Sequence, residues 1–384
     1  MAEGVKIKKK RVYFSSRTAL GVMTVAAFSL LLVSSDVAIE YMKKGLGLCA
    51  VTVIPSLFPF MIMSELIVSS GVGVRISRVF ARPMRWLFGV SEAGAAAYFL
   101  GIVCGFPIGA KTAVSMYDKG IISKRETERL LTFCNNPGSA FVMSAVGVSQ
   151  LHSYALGIML YVCVILSSIA IGVIGHLFER GRKSEAKTVA YCSQNDAVKA
   201  VTDAIQSSAL SMLSVCAYVV FFSAIVGCLG AALSRFSPSE GIIAVIFGFF
   251  ELSSGVGAAA GLDVRLSAVL LCALFLGWSG ISVHFQVMSV CSGRGLSFKP
   301  YFLSKIAQGI LCAAMAGCAV KLFPRMIEVD HAAFLPLRGA FVGYCAGAVL
   351  AFFATTVFYL CIRFMNTRKR NKKSLKLRMP ETNR

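Results

Sequence analysis

Apolar segments of about 20 residues recur along this chain, and they restrict its fold strongly, because that length lets a helix cross a hydrocarbon layer of about 30 Å. Of the 384 residues, 57% are hydrophobic, and the mean hydropathy is +0.73. In hydrocarbon the backbone polar groups must be satisfied internally, which favours helices. The chain is therefore predicted to be an all-α polytopic membrane protein rather than a soluble globular domain.

About eight segments are predicted to span the membrane, and two further apolar segments are predicted to enter it and return. The spans lie at about 17–33, 45–70, 130–149, 154–178, 209–231, 268–290, 302–322 and 339–362. Segments 93–118 and 241–261 are each divided by glycines, proline or polar residues into halves of about a dozen residues, which reach only part-way across a bilayer. Each of these two segments is predicted to form a re-entrant hairpin.

The distribution of basic residues supports this topology. With both termini in the cytoplasm, 31 of the 39 Lys and Arg residues fall on the cytoplasmic side and seven on the opposite side, while Lys111 lies inside the first hairpin. An excess of Lys and Arg marks cytoplasmic loops. The net charge of +21 is therefore attributed to these loops, and no nucleic-acid partner is predicted.

The predicted topology divides the chain into six parts that contain two related halves. The parts are the N-terminal tail and first span (1–44), a first transport repeat (45–178), a cytoplasmic linker (179–208), a second transport repeat (209–322), the last span (323–362) and a basic cytoplasmic tail (363–384). Each repeat contains a hairpin followed by a broken helix, at 130–149 and 268–290. The hairpins enter from opposite sides, and such inverted repeats place a transporter's substrate site near the membrane midplane.

The first hairpin contains a lysine directly after a glycine- and proline-rich break, in the stretch 105–111. A charge in hydrocarbon is costly, and irregular backbone at that depth occurs where it lines protein or water. Pro107, Gly109 and Lys111 are therefore predicted to form part of a polar site, with Lys111 as the cationic anchor. The alternative is that Lys111 extends to the cytoplasmic face.

The tips of both hairpins and the breaks in both spans are predicted to converge on one substrate site. The further candidate binding residues are Asn135, Asn136, Ser139, Glu251, Ser253, Ser254, Ser279, Ser282 and Gln286, with Glu65 and His284 as possible coupling or secondary residues. The N–H groups freed at half-helix N-termini attract anions. The set suits a small anionic or polar solute, with a coupling cation near Glu251.

Each candidate residue also has a structural interpretation. The two asparagines can cap a half-helix, the serines can be small packing residues, and Glu251 can pair with Lys111. Glu65 can lie near the cytoplasmic end of its span, and His284 can be interfacial. The thirteen cysteines form no CxxC pair and are predicted to be buried apolar side chains, so no metal or cofactor is predicted.

The stretches 105–111 and 134–136 resemble the YlbJ/SpoVV family of sporulation integral membrane proteins. Further support comes from the stretches 55–60, 64–66, 251–255 and 278–280, and the resemblance extends from about residue 46 to 320. It implies a nucleoside recognition or gate domain similar to concentrative nucleoside transporters. Those transporters have two re-entrant hairpins and two broken helices per subunit and commonly form trimers.

The resemblance also implies a function, namely the movement of dipicolinic acid across the outer forespore membrane during sporulation. The chain is therefore expected to be a secondary transporter of a small anionic metabolite, with a nucleoside-type transporter as the alternative. Two remote alternatives are a non-transporting sporulation scaffold and a rhomboid-like intramembrane protease. The protease would use the GxSG stretch at Ser279, but it needs a histidine base within reach, and His284 follows on the same helix. No enzymatic activity is predicted.

Overall fold

The computed structural model describes residues 16–70, 80–178, 197–324 and 327. None of these residues forms a strand, so this part of the chain consists of helices and connecting turns. Four predicted parts of the chain lie wholly or partly outside the described residues. They are the N-terminal tail (residues 1–15), the linker (residues 179–196), the span at 339–362 and the basic tail. The all-α class predicted from the sequence is confirmed for the described part.

The first helices differ from the predicted pair of spans. Helix α1 (Ser16–Val33) bends by 99° into α2 (Ser35–Leu48), which continues through a π-helical turn (Cys49–Val53) into α3 (Ile54–Ser69). The predicted outer loop at 34–44 is thus helical. Its charged residues are spaced for helix formation, because Lys44 pairs with Glu40 one turn earlier at 2.6 Å, a spacing that supports helices.

The first repeat is interrupted at two places. A short helical segment (Ala81–Pro83) and a π-helical turn (Met84–Phe88) precede α4 (Gly94–Val103), α5 (Ile108–Asp118), α6 (Lys124–Cys134), the π-helical α7 (Phe141–Gln150) and α8 (Tyr154–Phe178). Helices α4 and α5 pack against each other as the arms of a hairpin around residues 104–107. Residues 135–138 form a non-helical break between α6 and α7.

The second repeat has the same order of elements. It contains α9 (Ala197–Ser234), α10 (Glu240–Phe250), α11 (Leu252–Ala260), α12 (Arg265–Trp278), α13 (Gly280–Cys291) and α14 (Lys299–Leu322). Helices α10 and α11 pack together as the second hairpin, which turns at Glu251. Ser279, with a φ of 79°, separates α12 from α13.

Local hydrogen bonds explain where α6 begins. The Ser123 hydroxyl accepts a hydrogen bond from the Glu126 N–H at 3.2 Å, which is the usual serine cap of a helix N-terminus. The Glu126 carboxylate in turn accepts from the Ser91 N–H at 2.6 Å, and so connects α6 to the segment that enters the first hairpin. Burial disfavours the charged form and raises the pKa of Glu126 above its usual value.

The two halves are packed reciprocally. The second arm of the first hairpin, α5, packs against α13 of the second broken helix, and the second arm of the second hairpin, α11, packs against α7 of the first. The long helices α8 and α14 also pack together, and α9 packs against α2 and α3. Each half therefore contributes a hairpin arm to the broken helix of the other.

Four helices in the described part of the chain are long and apolar enough to cross a membrane. They are Tyr154–Phe178, Val198–Ser234, Arg265–Cys291 and Lys299–Leu322, and the bent pair formed by Thr24–Val33 and Ser35–Val51 makes five if it counts as one span. The prediction of an integral membrane protein is thus supported. The number of eight spans and the inverted orientation of the repeats stay predictions.

Candidate functional site

One cavity of about 550 Å³ lies where the helix interruptions meet, and we call it the junction cavity. Its wall includes Gly105 and Phe106 from the first hairpin tip, Gly138 and Ser139 from the first break, Glu251, Leu252 and Ser253 from the second tip, and Val283 and Gln286 from α13. The rest of the wall comes mainly from α2, α3, α7 and α9 and is mostly apolar. Residues far apart in the sequence thus surround a single space.

Four of the predicted binding residues line the junction cavity, namely Ser139, Glu251, Ser253 and Gln286. The Ser139 hydroxyl also donates a hydrogen bond to the Val103 carbonyl at 3.2 Å, which connects the first break to the first hairpin. The other predicted residues do not line it: Pro107, Gly109, Lys111, Asn135, Asn136, Ser254, Ser279, Ser282, Glu65 and His284.

The Glu251 side chain caps the N-terminus of α11. One carboxylate oxygen accepts from the Ser253 N–H at 2.9 Å, and the other accepts from the Ser254 N–H and hydroxyl at 2.7 Å each. The side chain is buried, and it is the one charged group among the residues that line the junction cavity. The partial positive charge of this helix end is thereby already compensated, and Glu251 does not pair with Lys111.

Glycines allow the first hairpin to pack directly on the backbone of the first break. Gly105 has a φ of 90°, and a Cβ there would lie 2.5 Å from the Gly138 nitrogen. A Cβ at Gly101 or Gly109 would collide with the carbonyl oxygen of Cys134, where α6 ends. Pro107 follows a cis peptide bond and immediately precedes α5. The predicted binding residues Pro107 and Gly109 thus lie at the turn and the packed face of the first hairpin, and neither lines the junction cavity.

Lys111 is buried, but its polar contact lies outside the junction cavity. Its ammonium donates to the Ser208 hydroxyl of α9 at 3.3 Å. Ser115 of the same helix α5 and Lys119, which follows the end of that helix, donate to the Glu65 carboxylate of α3 at 3.0 Å each. Lys111 and Glu65 thus make polar contacts in the interface between α3, α5 and α9. Neither residue lines the junction cavity.

Sequence reasoning missed a second buried lysine, Lys305 in α14, which has no exposed surface. Its ammonium donates to the Asn135 carbonyl and, at 2.9 Å, to the Gln308 side-chain oxygen. Gln308 donates in turn to the Asn136 side-chain oxygen at 2.8 Å, and Asn136 donates to the Phe133 carbonyl at 2.8 Å. The charge count assigned Lys305 to a cytoplasmic stretch, whereas α14 carries it into the protein interior.

Several buried polar atoms beside the two breaks make no hydrogen bond among the described residues. They are both polar atoms of the Asn135 side chain, the hydroxyls of Ser279 and Ser282, and Nε2 of His284. Nδ1 of His284 lies 2.9 Å from the Tyr301 hydroxyl. Unpartnered buried polar atoms are costly and commonly meet water or a ligand. Ser279 and His284 are not hydrogen-bonded to each other, as a serine–histidine nucleophile would require.

An ion pair connects the first hairpin to the turn after α13, at the side predicted to be cytoplasmic. The Arg294 guanidinium donates to both carboxylate oxygens of Asp118 at 2.7 to 3.0 Å. Nearby, the Ser297 N–H donates to the Glu128 carboxylate at 2.8 Å. The Asp118 carboxylate raises the pKa of Arg294 further above its usual value. These contacts join the end of α5 and the start of α6 to the turn after α13.

Replacing Asp118 by alanine is expected to cost at most about 1 kcal/mol, because ion pairs with exposed side chains contribute about 0–1 kcal/mol. The loss should shrink at high salt, which screens exposed charges. Thermal unfolding of the purified protein at low and high salt measures both effects, with Asp263→Ala, an exposed aspartate in another turn, as the matched control. A loss of the same size at both salt concentrations would contradict an electrostatic contact.

Comparison with known proteins identifies two similarities. A family model described as "Gate: Nucleoside recognition" matches residues 50–181, a range that includes the first hairpin, the first break and α8. Over 335 residues the chain is 30% identical to the sporulation integral membrane protein YlbJ of Bacillus subtilis strain 168, and this alignment covers 77% of the chain and 81% of that protein. No solved structure matches the chain.

Proposed function

This chain belongs to the family of the sporulation integral membrane protein YlbJ, and from that premise we propose that it is a secondary transporter of dipicolinate at the outer forespore membrane. The observation that carries the transport part is the junction cavity, which is lined by both hairpin tips, by the first break and by the helix that follows the second break. Discontinuous helices around a central site are typical of secondary transporters. The proposal includes cytoplasmic termini and, by likeness to concentrative nucleoside transporters, a trimer.

The junction cavity suits a small flat solute with an apolar ring and polar edges. Its volume of about 550 Å³ lies within the range of small-molecule sites, about 300–1,000 Å³. Apolar side chains such as Val103, Phe141 and Leu252 form most of its wall, while Ser139 and Gln286 supply polar groups. An aromatic diacid would contact the apolar wall with its ring and hydroxyl and amide donors with its carboxylates.

A nucleoside is the second candidate solute, and Glu251 favours it. A carboxylate in the cavity wall repels a dianion, whereas it accepts hydrogen bonds from the hydroxyl groups of a sugar. The family model that matches residues 50–181 is described as nucleoside recognition. The two solutes differ in charge, so an uptake measurement distinguishes them.

Purified protein in liposomes is expected to take up radiolabelled dipicolinate, with saturation, above the level of protein-free liposomes. Uridine at the same concentration is expected to be taken up no faster than by the protein-free control. Uridine uptake without dipicolinate uptake would replace the substrate and keep the transport function.

A non-transporting scaffold predicts a different result. Neither solute would move, neither would bind to the purified protein, and spores of a strain that carries Asn135→Ala would contain normal dipicolinate. We expect the opposite for spore dipicolinate, because the substitution removes the buried, unpartnered polar side chain of Asn135 at the first break. Dipicolinate extracted from purified spores measures this, with the amount of membrane protein checked by immunoblot.

A further inference from the structure

The end of α6 presents backbone carbonyl groups in the protein interior. The helix ends at Cys134, and its C-cap residue Asn135 has extended backbone angles. The last carbonyls of a helix have no partner within the helix, and they carry a partial negative charge. In secondary transporters with broken helices, such freed carbonyls coordinate the coupling cation.

In this chain a side chain of the protein itself occupies that position. The Lys305 ammonium donates to the Asn135 carbonyl and to the Gln308 side-chain oxygen, so two oxygen atoms surround a positive charge beside the helix end. Lys305 is fully buried and forms no ion pair with a carboxylate among the residues that the structure describes. The partial negative charge of the helix end and the side-chain oxygen of Gln308 are thus the main compensation for the positive charge of Lys305.

At the second hairpin a buried side chain likewise compensates the charge of a helix end, but here the helix end is positive and the side chain is negative. There the Glu251 carboxylate accepts from the N-terminal N–H groups of α11. Each of these helix ends, one negative and one positive, therefore receives its counter-charge from a buried side chain. Lys305 also holds the first break in place through Gln308 and Asn136, which a bound cation would otherwise have to do.

We propose that Lys305 is a built-in cation that replaces a coupling sodium ion at the end of α6, so that transport by this protein is independent of sodium. The inference rests on the proposed transport function, and it deepens that function by assigning the ion requirement. It also has a consequence for the protein alone, because the ammonium should stabilise the first break whether or not a solute moves.

Uptake by the wild-type protein in liposomes should change less than about twofold when choline replaces sodium, whereas Lys305→Ala should lower uptake by at least about tenfold. Propylammonium, which restores the atoms that alanine lacks, should recover part of the uptake. The matched control is Lys299→Ala, which removes an exposed lysine from the start of the same helix and should leave uptake unchanged.

Thermal unfolding of the purified proteins separates this inference from the transport function. The wild-type melting temperature should be the same in sodium and choline, and that of Lys305→Ala should be lower and should rise with added propylammonium. Absence of uptake by the wild type together with this unfolding pattern would count against the transport function alone. Wild-type uptake or stability that requires sodium would overturn the inference, as would a Lys305→Ala protein that matches the wild type or gains nothing from propylammonium.

Discussion

Replacing Glu251 by glutamine is expected to lower solute uptake by at least about tenfold, which corresponds to a barrier higher by about 1.4 kcal/mol. Glutamine keeps one oxygen that accepts a hydrogen bond from the N-terminus of α11, but its amide nitrogen replaces the second acceptor, so the hairpin tip in the wall of the junction cavity should lose part of its fixed position. Loss of a helix cap costs about 0.5–2 kcal/mol, so the protein should still fold. Initial uptake rates and thermal unfolding of the same preparation measure the two effects.

The control for this substitution is Glu240→Gln. Glu240 begins the other arm of the same hairpin, but it is exposed and does not line the junction cavity. Its replacement should leave uptake unchanged. If Glu251→Gln transports at the wild-type rate, neither the charge of Glu251 nor its second acceptor oxygen is needed for transport.

Replacing Gly109 by alanine is expected to prevent stable assembly of the first hairpin. The added methyl group would meet the Cys134 carbonyl oxygen, and it would lie 2.9 Å from the Gly101 Cα. Overpacking a tight interior costs about 1–3 kcal/mol even where side chains can adjust. Both obstacles here are backbone atoms, so the loss should exceed this range. Size-exclusion chromatography in detergent and thermal unfolding are the measurements.

Gly257→Ala is the matched control for the Gly109 substitution. Gly257 lies in the second arm of the second hairpin, and the nearest atom to an added Cβ is 3.8 Å away. Alanine is favoured over glycine in a helix by about 1 kcal/mol, so this variant should be as stable as the wild type or more so. A Gly109→Ala protein as stable as Gly257→Ala would show that the two backbones do not pack as described.

The sequence predicted the interruptions of the helices better than the side chains that serve the site. Glycine, proline and asparagine act on the backbone within a few residues, so the breaks at 104–107 and 135–138 could be placed from local chemistry. The direction of a side chain depends on how its helix is rotated against its neighbours. Lys111 lies on the helix that follows the first break, but it contacts Ser208 rather than the junction cavity.

Lys305 could not be found by the rule that located the cytoplasmic loops. That rule counts lysines by their position between apolar segments, and Lys305 lies in the first turn of one, where it was counted with the preceding loop. The available signal was weaker, namely a lysine and a glutamine one turn apart in an otherwise apolar helix. Only packing of α14 against α6 shows that both side chains meet the freed backbone of Asn135 and Asn136.

The packing of the first hairpin on the first break has a mechanical consequence. The contact between the first hairpin and the first break is made by backbone atoms, at Gly101, Gly105 and Gly109 on one side and at Cys134 and Gly138 on the other. A change of side-chain rotamer therefore cannot let one surface slide past the other. The hairpin and the end of α6 are thus expected to move together. The pair formed by Asp118 and Arg294 instead joins two partly exposed side chains. Relative displacement of the two halves of the protein is accordingly expected to start at that ion pair and to leave the glycine contact intact.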